Sequence, residues 1–166
     1  KQNNYISVII PFKDSLNNLI NILESLAKQS ELPNEIVIIN ASVNDLTNSD
    51  IGYDNFFKIK IKSFYNYEAK IPAYPGQNRN IGVSFSSGNI IFFIDTKTKP
   101  TRDWIKNTKK ILIDKNVDLV FGSTKYEANS FFTNLILDLS YGNIAYESVP
   151  GAAIFKKKFY QAGEFI

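Results

Sequence analysis

The residues with the most chemical reach stand where apolar runs end. Residues 90–100, IIFFIDTKTKP, set Asp95 directly after a run that reads as a buried strand, so its carboxylate is held at a rim in fixed geometry. An aspartate so placed can bond a ribose hydroxyl or face a metal-bound diphosphate. It can equally close the following turn, a common use of Asp. Residues 74–88, YPGQNRNIGVSFSSG, put a Pro-Gly turn before Gln77, Asn78, Arg79 and Asn80, a dense set of donors. A helix N-terminus carrying a guanidinium suits an anion or a nucleotide. A single Arg at a polar helix start is more often simply solvated. Asn40 closes the run EIVIIN at residues 35–40. Its paired donor and acceptor could read a base edge, and it is also a frequent turn former. Singly these signals are weak; their order and spacing carry the information.

Missing residue types narrow the chemistry further. The chain of 166 residues contains no His and no Cys. That removes the commonest general base, the commonest transition-metal ligand, any disulfide and any thiolate zinc site. Catalysis would run on carboxylates, Lys, Tyr or hydroxyls, and a metal would be a hard cation held by oxygen. The 19 basic side chains are all lysine except Arg79 and Arg102, and the net charge is only +3. Dispersed lysine with almost no arginine argues against nucleic-acid binding. No apolar run reaches the length that spans a bilayer, so a cytoplasmic protein is expected, with peripheral membrane contact left open. The absence of Met, even at position 1, points to a cut or processed start.

The elements that position these residues alternate. Residues 5–12 (YISVIIPF) and 35–40 read as strands buried on both faces. Between them Leu16, Leu19, Ile20, Leu23, Leu26 and Ala27 recur at helical spacing, with Ser15 offered as N-cap. Residues 58–64 alternate Lys and Ile, which suits an edge strand protected by charge. A helix is expected over residues 76–86 with Gly88 as its stop, a strand over 90–94, a helix over 100–116 and a strand over 118–122. Phe131, Phe132, Leu135, Ile136 and Leu139 fit one more helix face. The pattern implies one α/β domain over residues 1–166, with a doubly wound, mostly parallel sheet whose ligands sit at the carboxyl ends of the strands.

Read together, these blocks resemble the family 2 glycosyltransferases, inverting enzymes of the GT-A fold. Residues 7–12 resemble the family's opening S-V-I-I-P-x-Y strand, and Leu23, Ser25, Leu26 and Gln29 match L-x-S-L-x-x-Q. Residues 35–45 resemble E-I-I-V-V-D-D-G-S-T-D, and Arg79, Asn80, Gly82 and Gly88 fall in register with A-R-N-x-G-x-x-x-A-x-G. Asp95 to Pro100 with Trp104 look like D-x-D-x-x-P followed by D-W, and residues 151–165 look like the block ending in G-G-F.

The resemblance implies a nucleotide-diphosphate sugar as substrate, UDP-linked by preference, and a glycan or lipid-linked acceptor in polysaccharide biosynthesis. It implies donor contacts from Pro11, Phe12, Asn40, Arg79, Asp95 and Lys97. Phe12 stands where a Tyr commonly packs on the base, and Asn40 replaces the Asp that often holds uracil. Asp95 is the first carboxylate of D-x-D and the one metal ligand the motif offers. Lys97 stands at the second carboxylate, where magnesium or manganese would otherwise be held, so it either supplies part of that charge or marks a decayed site. In the family the general base follows the G-G-F block, so it is expected beyond Ile166; Glu147, the nearest carboxylate upstream of that block, has only proximity to favour it. The resemblance leaves two alternatives. One is a degenerate GT-A-like binding or scaffold domain without turnover. The other is a nucleotidyltransferase, against which the glycine-free loop at residues 11–15 counts.

Overall fold

A computed structural model describes residues 4–13, 15–42, 46–47, 51–52, 59–65, 74–125, 127, 130, 133 and 146–166. The helix face expected at residues 131–139 and most of the polar loop after Asn40 lie outside the described residues. Strands β1 (Ile6–Phe12), β2 (Glu35–Asn40), β3 (Lys60–Tyr65) and β4 (Ile90–Phe93) run parallel. Strand β6 (Tyr146–Phe155) lies antiparallel to β4 and to β5 (Leu119–Thr124). The order across the sheet is β3-β2-β1-β4-β6-β5, so the chain winds outward in both directions from the β1/β4 boundary.

Strand faces sort the core. Ile6, Val8, Ile10 and Phe12 of β1 and Ile36 and Ile38 of β2 point to one side. There α1 (Leu16–Ala27) and α3 (Trp104–Asp114) bring Leu19, Ile22, Leu23, Leu26, Ile105 and Leu112 over them. Ile9, Val37, Ile39, Ile91 and Phe93 point to the other side. They meet Val83 of α2 (Pro75–Phe85) and Phe159 of α4 (Lys156–Gln161). Each such buried aliphatic or aromatic side chain contributes about 1.5–3 kcal/mol. The both-faces-buried reading of β1 and β2 therefore holds, and β3 is the edge strand its lysines suggested.

Several family-motif residues turn out to be joints between elements. Gln29, past the end of α1, donates to the Thr101 carbonyl at 2.8 Å and accepts the Ile105 N–H at 3.2 Å. It thereby caps α3 from outside, where the N-cap Asp103 makes no side-chain bond. Trp104 donates its indole N–H to the Gly151 carbonyl at 3.0 Å and meets Phe92 edge-on at 5.2 Å. Gly82 lets α2 close on the sheet, since a Cβ there would stand 2.3 Å from a methyl of Ile9.

One local expectation is refined, one is corrected and one strand is added. Ser15 takes the N-cap position of α1 through its backbone carbonyl alone, and its side chain makes no cap bond. Gly88 does not end a helix. It lies beyond Ser86, the C-cap of α2, where a Cβ would stand 2.8 Å from the Ser7 nitrogen and 2.7 Å from the Tyr5 carbonyl. Strand β6 was not foreseen because Pro150 and Gly151 interrupt its pattern. The sheet tolerates them through a register irregularity between Val120 and Gly122, beside which Gly151 takes φ +95.

Candidate functional site

Parallel winding brings the strand ends to one edge. Phe12 and Asn40 are register partners at the ends of β1 and β2, and the Ala41 N–H donates to the Phe12 carbonyl at 2.8 Å. Asp95 follows β4 on the far side of β1, so the three flank the position where the sheet changes winding direction. Pro11 precedes Phe12 within β1.

Arg79 reaches this edge from α2. Pro75 opens that helix at its first turn, where its missing N–H costs nothing. Arg79 then donates from one terminal nitrogen to Asp95 Oδ1 at 2.7 Å. The Arg79 side chain is 10% exposed and that of Asp95 is 37% exposed, so the pair has a protein-facing cation and a solvent-facing carboxylate. Arg79 Nε is buried without a hydrogen-bond partner among the described residues. The two strongest sequence signals thus form one ion pair. The Asp95 carbonyl accepts the Thr98 N–H at 2.9 Å. The main chain therefore closes the turn, while one oxygen of the carboxylate, Oδ1, accepts from Arg79.

The remaining residues are placed as follows. Asn40 is fully buried, and its Oδ1 accepts both the Ser42 N–H at 3.0 Å and the Ser42 hydroxyl at 2.6 Å, an Asx turn. Phe12 is 3% exposed and seated in the core on the α1 side. Lys97 is exposed in the turn after Asp95. Among the described residues no three acidic, His or Cys side chains cluster to hold a metal. With one Asp95 oxygen on Arg79 and a lysine two residues on, the described side chains do not fit a conventional divalent-cation site.

Two residues complete this edge in a way the sequence did not show: Asn80, read only as one of a set of donors and as a motif residue, and Phe165, read only as the end of a motif block. Asn80, beside Arg79, is tied to the main chain of Phe165 by two hydrogen bonds. The Phe165 ring lies under the Arg79 guanidinium, 5.7 Å from its centroid to Cζ. The register of Asn80 within its motif was visible; its partner, 85 positions along the chain, was not.

Solved structures share the architecture. A mannosyltransferase from Pyrobaculum calidifontis, in complex with GDP-Man and Mn2+, superposes with a TM-score of 0.67 at 19% identity over 98% of this chain. TarS 1-349 of S. aureus in complex with UDP-GlcNAc superposes with a TM-score of 0.69 at 17% identity over 96% of it. This chain spans 47% and 48% of those two chains, about half of each. No curated protein sequence matches. The fold is a GT-A fold: a mostly parallel sheet flanked by helices. The family model described as Glycosyl transferase family 2 matches residues 7–163, and the chain belongs to that family.

Proposed function

We propose that this chain binds the donor of an inverting glycosyl transfer, from a nucleotide-diphosphate sugar to a hydroxyl of a glycan or lipid-linked acceptor, with UDP favoured as the nucleotide. The observation that carries the reading is the Arg79–Asp95 pair, standing at the carboxyl edge where the sheet changes direction. Asp95 presents its exposed carboxylate to a ribose hydroxyl. Arg79 fixes that carboxylate and lies beside the nucleotide. Pro11 and Phe12 wall the base through the shape of the β1 end, since the Phe12 ring is seated in the core and offers no open stacking face. Asn40 acts on the base through the turn it holds with Ser42.

Lys97 gives the site its particular character. A cation two residues past Asp95 opposes a metal ion and favours the diphosphate, whose negative charge grows as the glycosidic bond to the sugar breaks. It supplies by its ammonium part of the counter-charge that family members draw from a divalent cation. Inversion also needs a base to take the acceptor proton, and none of the described residues is assigned that role.

Calorimetric titration with UDP, GDP, dTDP and CDP, each with and without manganese, tests the reading. Binding of one nucleotide, unchanged by manganese and weakened about tenfold in Lys97→Ala, is the expected result, the scale of one lost charge-assisted contact. Silence with all four, together with a manganese-dependent signal gained by Lys97→Asp, would make the domain a scaffold whose donor site has decayed.

A further inference from the structure

The far end of the chain folds back onto the donor edge. Asn80 donates from its amide to the Phe165 carbonyl at 2.8 Å and accepts the Phe165 N–H at 3.0 Å, a closed two-bond clasp. The clasp lies close over Gly76, where a Cβ would stand 3.0 Å from the Phe165 Cβ, so a side chain there would press on it. The Phe165 ring is wedged against Phe93 at 5.5 Å and Phe159 at 5.6 Å. The turn leading to it is left-handed: Gly163 takes φ +94 freely, but Glu164, with a full side chain, is strained at φ +66. A non-glycine residue persists in that region only where its surroundings over-determine it, and the clasp and the ring wedge do so.

Arg79 completes the chain of contacts. Its guanidinium has Asp95 at one nitrogen and the Phe165 ring across its face, and both hold it in one orientation. An arginine deprived of that ring would regain the freedom of a long side chain and swing its head toward water.

We propose that Phe165 and Asn80 are positioning residues, and that residues 163–165 form a strap seated on α2 which holds Arg79 against Asp95. The strap acts on the donor through Arg79 and touches no reacting atom. For its effect on affinity the inference rests on the nucleotide reading above; for the placement of Arg79 it does not.

The chain has two arginines, and Arg102 is exposed whereas Arg79 is buried. Their side-chain Nε–H resonances therefore separate by hydrogen-exchange rate. Phe165→Leu keeps apolar bulk without an aromatic face, Phe165→Tyr keeps the face, and Asn80→Ala opens the clasp without touching the ring. In Phe165→Leu and Asn80→Ala the Arg79 Nε–H is expected to exchange at least about tenfold faster, and UDP to bind about tenfold more weakly. Phe165→Tyr should retain both properties. Arg79 exchange unchanged in both Phe165→Leu and Asn80→Ala would overturn the proposal, as would equal losses in Phe165→Tyr and Phe165→Leu. If the parent chain binds no nucleotide, the functional reading falls while the exchange measurement still decides the strap.

Discussion

The two ends of the parallel strands each hold a carboxylate paired with a cation, and the two pairs are built for different work. At the amino ends Glu35 is fully buried. It accepts the Ser7 hydroxyl at 2.6 Å and the Ser87 N–H, and it pairs with Lys62 at 2.8 Å. Ser7 in turn accepts the Gly88 N–H at 2.8 Å, and Lys62 donates to Ser87 Oγ at 3.0 Å. At the carboxyl ends Asp95 has one oxygen on Arg79 and stands 37% exposed. A carboxylate enclosed by its own protein's donors stabilises the fold; one held at the rim by a single arginine is left open to a ligand.

Removing Glu35 should give the largest loss of stability. Glu35→Ala leaves the Lys62 ammonium without its anion and the loop feeding β4 without its anchor. Breaking a buried pair from one side costs about 3–5 kcal/mol. Chemical denaturation would measure it, and a loss below about 1 kcal/mol would erase the distinction between the two edges.

The same network sets an acid response. Burial alone would raise the Glu35 pKa, but the Lys62 ammonium, the Ser7 hydroxyl and the Ser87 N–H hold the anion and bring it below its ordinary value. A depressed carboxylate contributes stability that is complete above its unfolded pKa and is lost as pH falls through its folded pKa. Thermal midpoints of the parent chain should therefore fall on acidification below about pH 4.3, the usual glutamate value. Those of Glu35→Gln should start lower and fall less steeply. Burial lowers the pKa of nearby Lys156, against the pull of Glu35 and with a further push from Lys62.

Gly88→Ala attacks the network through the main chain and should have a smaller effect. The added methyl meets Ser7 Oγ at 2.3 Å and backbone atoms of Tyr5 and Ser7, which cannot move aside as a side-chain tip would. About 1–3 kcal/mol is the expected cost of such overpacking, with nucleotide affinity unchanged in the folded fraction.

The two edges also differed in how far the sequence revealed them. The carboxyl edge was legible because strand-end position and residue type coincide there, so Asp95 and Arg79 could be named separately before the fold paired them. The anchoring edge was not. Glu35 read as the first residue of an apolar strand, and Lys62 read as one of several solvated lysines guarding an edge. Period-two patterning places both on strands but does not say which face a neighbouring strand's polar residue needs. Lys62, 20% exposed, turns inward because β3 lies in register beside β2, a pairing of residues far apart in sequence. Phe12, which the resemblance sets where a Tyr packs on the base, shows what alternation adds: along β1 it turns the ring into the core.

Asp95→Asn should disturb the fold least and separates the two edges most sharply. The amide oxygen still accepts from Arg79, the Phe165 face still covers the guanidinium, and water already reaches the site. The loss in stability should therefore stay near 1 kcal/mol, the range of a pair in contact with solvent. Nucleotide binding should nevertheless drop, because the exchanged group is the exposed acceptor offered to the ligand. A variant that keeps its thermal midpoint and loses calorimetric heat with nucleotide would assign Asp95 to binding. One that loses several kcal/mol while still binding would make it a second Glu35.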